Sequence, residues 1–210
     1  MKNSYWPVLL PLLFALSCNS SRITSSWKNS QMSAGPFHKI LVVSLVSEPE
    51  YGMKQIMEKH LVEDLKSKGV EAISAFDLYG PHAFDGLSEK AVIDNIRNSG
   101  VDAILTIVLL DKERERYYVP GRVQFTPYIV YHRHFWGYYS TINSRIYTPG
   151  YYVSNTHYFW ESNLYEASGG NLIYSAQTKS FDPSSTETLS HEYGQLIVAD
   201  LMKYQLLQLR

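Results

Sequence analysis

Two histidines flank an arginine at His132-Arg133-His134. On a strand, residues two apart face the same way, so the two imidazoles could grip one metal ion, with His157 or Glu161 as a third ligand. Such a centre would suit a metal-dependent hydrolase, although nothing in the spacing requires one. His191-Glu192 opens like a zinc-protease helix, but Gln195 stands where the second histidine would be needed. No Gly-x-Ser-x-Gly elbow occurs. The turn Glu48-Pro49-Glu50-Tyr51-Gly52 follows the first apolar run, where open parallel sheets bind ligands. It lacks a glycine-rich phosphate cradle and carries two carboxylates that repel phosphate. With no dinucleotide fingerprint or P-loop elsewhere, no nucleotide and no cofactor are expected. A net charge of -1 supplies no broad basic field for nucleic acid. The residues therefore point away from an enzyme.

The most unusual segment is aromatic. Tyrosine, phenylalanine and tryptophan crowd residues 117–157 and culminate in Phe135-Trp136-Gly137-Tyr138-Tyr139. Tyr and Trp rings offer large contact area with a polar tip and little rotamer entropy, which suits a binding surface for a protein or a glycan. The other reading is structural, with the rings packing on one another and on a sheet. Phe135, Trp136, Tyr138 and Tyr139 are the candidate partner-binding residues, and the two readings stay open for them.

Cys18 is the sole cysteine, so it can join neither an intrachain disulfide nor a thiolate cluster. It follows Lys2 and an apolar stretch at residues 5–16, too short to span a bilayer comfortably and of signal-peptide length. Ala15-Leu16-Ser17-Cys18 resembles a bacterial lipobox, which implies lipid on the cysteine sulfur and cleavage before it. The usual pattern has leucine three before the cysteine and a small residue two before; here Ala15 and Leu16 hold those places. An ordinary cleaved signal is the alternative. Asn19, rather than Asp, follows the cysteine, which by the resembled sorting rule favours the outer membrane. Residues 1–17 are thus expected as a signal peptide. Residues 18–36, rich in Ser and Asn, are expected as a flexible tether of about 25 Å r.m.s. span, with Trp27 docking on the body.

The body that must position these groups is expected over residues 37–210 as one domain. Residues 40–47 form a Val-rich run suited to a strand buried on both faces. Met53, Ile56, Met57, Leu61 and Leu65 then make one helical stripe over residues 51–68, which Gly69 ends. Residues 70–76 read as a strand. Ser88 caps a second helix ending at Gly100, and residues 101–110 read as a third strand. This β-α-β-α-β run predicts a parallel core with right-handed crossovers. Residues 112–119 alternate charge as a strand running to the surface. Residues 157–167 and 172–181, joined by Ser168-Gly169-Gly170-Asn171, predict a hairpin. Ser184 and Glu187 form a capping box for a last helix with the stripe Leu189, Tyr193, Leu196, Ile197, Leu201 and Tyr204. The fold class is α/β, three-layer-like, with a mixed sheet.

Trp27, the strand Lys39-Ile40-Leu41-Val42-Val43, the paired exits Lys68-Gly69-Val70-Glu71-Ala72 and Ser99-Gly100-Val101-Asp102-Ala103, and the run Glu161-Ser162-Asn163-Leu164-Tyr165 with Thr178-Lys179-Ser180-Phe181 resemble a group of uncharacterised bacterial lipoproteins. The layout is similar to TolB amino-terminal and CsgG-like periplasmic lipoprotein domains. The resemblance implies no activity, and the leading expectation is a non-catalytic, membrane-tethered periplasmic adaptor that binds an envelope protein or cell-wall material. A glycan- or peptidoglycan-binding module and a metal-dependent hydrolase are the alternatives.

Overall fold

The computed structural model describes residues 20–31, 35–46, 50–119 and 151–208. In chain order they form β1 (Ser21–Lys28), β2 (Lys39–Leu45), α1 (Tyr51–Ser67), β3 (Glu71–Ser74), α2 (Ala75–Tyr79), α3 (Glu89–Asn98), β4 (Ala103–Val119), β5 (Tyr151–Glu166), β6 (Leu172–Phe181) and α4 (Thr186–Lys203). The strands make one open mixed sheet in the order β1-β6-β5-β4-β2-β3. β2 runs parallel to both β3 and β4, while β4, β5, β6 and β1 pair antiparallel in turn. The α/β class and the expected parallel core with a following hairpin are therefore the observed fold. Among the described residues no helix is long and apolar enough to cross a membrane.

β2 shows why its sequence is an apolar run. Ile40 and Val42 face a cluster built with Met57, Leu61 and Leu65 of α1 and Leu189, Tyr193, Ile197 and Leu201 of α4. Leu41 and Val43 face the opposite side, against Ala75 of α2 and Ile96 of α3. Both faces of this strand are covered, which leaves no polar position in its first five residues after Lys39 except Ser44. The crossovers run to opposite sides of β2 and so place α1 and α2–α3 on opposite faces of the sheet. The repeated exits flank the start of β2. Glu71 donates its N–H to the His38 carbonyl and Asp102 donates its N–H to that of Lys39. The Asp102 carboxylate also accepts from the N–H groups of His38 and Lys39.

Four local expectations need correction. The Ser-rich stretch at residues 18–36, read as a flexible tether, contains β1, bound to β6 from Ser21↔Ser180 to Lys28↔Tyr174. An edge strand with one face in solvent needs few apolar side chains, so its composition imitates a linker. Trp27 belongs to this strand and stays half exposed. The strand expected at residues 70–76 stops at Ser74, because its hydroxyl caps α2 by accepting from the Asp77 N–H. Asp111 does not separate two strands; β4 continues through it, with a bulge between Leu109 and Asp111. The cap of α4 is Ser185, which accepts from the Thr188 N–H, while Ser184 bonds the Thr188 hydroxyl.

Glu58 of α1 is wholly buried. One carboxylate oxygen accepts from the Ser44 N–H at 2.7 Å; the other accepts from the Ser74 hydroxyl at 2.7 Å and the Phe76 N–H at 2.8 Å. One side chain thus joins the carboxyl ends of β2 and β3 to the start of α2. Burial raises its pKa above the ordinary 4.5, against the opposing pull of these donors and of Lys54. Glu58→Ala strands two buried backbone donors, so urea unfolding should show a loss of roughly 3 kcal/mol or more, with a smaller loss for Glu58→Gln. Because the folded pKa is the higher one, this group's contribution is full below pH 4.5 and declines as pH rises through the folded value. Unfolding measured across that window should show the parent losing stability relative to Glu58→Gln as pH increases.

Candidate functional site

β4 and β5 are the longest strands, and their neighbours end before they do. β2 pairs only as far as Val108 and β6 only as far as His157. Beyond those points, among the described residues, β4 and β5 pair only with each other, from Arg114↔Thr156 to Val119↔Tyr151. The result is a two-stranded arm that leaves the sheet. An isolated two-stranded ribbon is marginally stable in water, so its root has to hold it. Lys112 supplies part of that hold. Its Nζ donates to Glu50 Oε1 at 2.5 Å, at the start of α1, and lies 5.3 Å from the centre of the Tyr158 ring. Tyr158 stacks on Trp160, and Trp160 packs against Tyr193 in the core. Tyr193 in turn shares a short hydrogen bond with Ser162.

The bulge decides what each face of the arm carries. Before it, the odd-numbered residues Ala103, Leu105 and Ile107 face α1 and α4. The extra residue hands that side to the even-numbered residues, because a one-residue shift exchanges the faces of a strand. The side toward α1 and α4 therefore carries Lys112, Arg114, Arg116 and Tyr118, opposite Tyr158, Thr156, Ser154 and Tyr152. The other side carries Glu113, Glu115 and Tyr117, opposite His157, Asn155 and Val153. One face is basic and the other acidic. The Arg116 guanidinium lies 4.5 Å from the Tyr152 ring centre, and Tyr152 packs on Tyr118 at 5.1 Å. Tyr117, Tyr118, Tyr151 and Tyr152 are 49%, 53%, 60% and 63% exposed.

Phe135, Trp136, Tyr138 and Tyr139, the histidines His132 and His134, and Cys18 lie outside the described residues. The two suggested third ligands are both in β5. His157 is buried against the Phe181 ring, with Nε2 3.6 Å from Glu115. Glu161 accepts from Asn163 and Gln177. Among the described residues no three His, Cys, Asp or Glu side chains gather as a metal site. His191 lies on the exposed side of α4 and bonds Gln195 at 2.9 Å, while the neighbouring Glu192 accepts from the Ser20 hydroxyl. Between α1 and α4 a cleft of about 540 Å³ is lined by Asp64, Lys68, Gln195 and Met202. Burial raises the Asp64 pKa, and the nearby His191 and His60 pull it back.

Sequence reading placed charge alternation on residues 112–119 without its faces, because a bulge leaves no clear mark in composition. It also missed that β1 brings Arg22 to the sheet. The signal for this was an alternation of exposed and half-buried positions too polar to distinguish from a linker.

No protein-family model matches the chain, and no curated protein matches it. Among solved structures it is similar to the PelC dodecamer from Paraburkholderia phytofirmans, at 10% identity over 90% of this chain and 99% of that one, with a TM-score of 0.44. It is similar to lipoprotein GNA1162 from Neisseria meningitidis, at 15% identity over 79% of this chain and 99% of that one, with a TM-score of 0.44. A PDZ domain protein from Parabacteroides distasonis matches at 10% identity over 90% of this chain and 37% of that one, with a TM-score of 0.41.

Proposed function

We propose that the chain is a lipid-anchored, periplasm-facing envelope protein that works without catalysis, as an adaptor holding another envelope protein through the β4–β5 arm. The observation that carries the reading is the arm: a ribbon beyond both helix layers, rooted by Lys112, Tyr158 and Trp160, with four exposed tyrosines. Exposed rings on a held ribbon provide contact area at low entropic cost to the partner-bound state. The anchor is assigned to Cys18, the sole cysteine at the end of an apolar leader, and Asn19 after it favours the outer membrane.

The second reading is a glycan- or peptidoglycan-binding module. The packed Arg116, Tyr152 and Tyr118 side chains favour it, since flat rings beside a guanidinium suit sugar faces and their acidic substituents. A photo-reactive residue at position 118 or 152 in living cells should trap one defined envelope protein that a control at position 175 does not trap. Tyr118→Ala with Tyr152→Ala should bind that protein at least about tenfold more weakly, the loss of two interface rings at roughly 1 kcal/mol each. Trapping of murein by the same residues, and of no protein, would replace the adaptor reading with the glycan one. For the anchor, cells fed labelled palmitate should label the parent, and Cys18→Ser should lose both the label and fractionation with membranes. An unlabelled parent removes the anchor.

A further inference from the structure

Arg22 of β1 and Lys179 of β6 are direct cross-strand partners, so their side chains leave the same face of the sheet. Like charges at such a position destabilise a strand pair. That face is the one α2 and α3 leave uncovered at this end of the sheet. Lys179 is also the partner of Phe159, and its ammonium lies 4.9 Å from that ring's centre. Two residues further along, His157 and Phe181 pair on the same face. Arg22, Lys179, His157 and Phe181, with Ser20 and Ser21, line a cavity of about 340 Å³. His157 is buried, and its Nδ1 has no hydrogen-bond partner within the chain. The Ser20 hydroxyl donates to Glu192 and the Ser21 hydroxyl to Ser180, so neither serine hydroxyl offers its proton to a ligand. The carboxylates on this face are Glu115, 3.6 Å from His157 Nε2, Glu113, the cross-strand partner of His157, and Asp111, the partner of Phe159, so the two cations are what an anion would need to be drawn here.

The geometry points to a binding site for a phosphate-bearing anion at the root of the arm, held by Arg22 and Lys179. Two cations that repel each other when empty both gain from one shared anion, and phosphate accepts from a guanidinium and an ammonium at once. His157 closes the inner wall. Its unpartnered Nδ1 is closed off from solvent beside the Phe181 ring, so a phosphate oxygen would reach it only after the imidazole turns. The phosphate could belong to a lipid headgroup or be free in solution. The site does not depend on the adaptor reading or on lipid at Cys18.

Purified full-length chain in detergent is titrated with sodium phosphate against sodium chloride at matched ionic strength, and Tm is followed. Separately, the Cys18→Ser chain is floated with vesicles of phosphatidylglycerol and of phosphatidylcholine. The parent Tm should rise and saturate with phosphate, or the chain should float with phosphatidylglycerol vesicles only. Either response should be lost in Arg22→Gln with Lys179→Gln and kept in Arg22→Lys, which retains the charge. A Tm response alone identifies free phosphate as sufficient; flotation alone identifies the headgroup. Far-UV circular dichroism checks the fold, and if the double variant is unfolded, Lys179→Gln alone is read in the same way. No response to either probe, or a response that survives loss of the charges, overturns the site.

Discussion

The register of β4 against β5 is the constraint on which the molecule turns. This pairing is the seam between a parallel half, β3-β2-β4, and an antiparallel half, β5-β6-β1. It also sets the faces of everything beyond the seam. With the bulge between Leu109 and Asp111, Trp160 and Tyr158 continue the core outward on the side of α1 and α4, and Lys112 follows them to meet Glu50. Were Leu110 paired in regular alternation instead of bulged, Glu113 and Glu115 would take that side and Lys112 would lie opposite, away from Glu50. The bulging of a single residue thus determines whether the arm's root attracts or repels the start of α1.

The two halves of the sheet have different tasks. In open parallel sheets the ends of the strands form the usual crevice for small ligands. Here that position is occupied by the chain itself: Glu58 uses its two oxygens on Ser44, Ser74 and Phe76, as a bound anion would use a ligand's. The parallel half is consequently a rigid base. The features that face outward, namely the exposed tyrosines, the divided charges and the Arg22–Lys179 pair, belong to the antiparallel half and to the stretch of β4 that runs on beyond the parallel one.

What could be read from sequence follows the same division. Burial on both faces writes itself into β2 as an unbroken apolar run, and burial on one face writes itself into α1 and α4 as Met57, Leu61 and Leu65, or Leu189, Tyr193 and Ile197. Those elements were legible, as were the positive-φ exits at Gly69 and Gly100. Elements stabilised by backbone pairing at an edge leave a weaker trace. β1 reads Ser-Arg-Ile-Thr-Ser-Ser-Trp-Lys and owes its place to hydrogen bonds with β6 that any sequence without proline could make. The bulge is equally silent, since Leu109, Leu110 and Asp111 suit either register. The candidate binding residues of the arm were therefore visible as types but not as faces, and the Arg22–Lys179 pair, some 157 positions apart in the chain, was not visible at all.

The early start of β1 has a mechanical consequence. Ser20 already gives its carbonyl to the Phe181 N–H, so only one residue separates Cys18 from chain that is tied to the sheet. Two peptide units reach roughly 7 Å, against the 25 Å or so of an eighteen-residue leash. Ser21 also lies at the same end of the sheet as Phe181 and His157, the level from which β4 and β5 run on alone. A lipid on Cys18 would then act less as a rope than as a short pivot, keeping the end of the sheet from which the ribbon departs close to the bilayer surface.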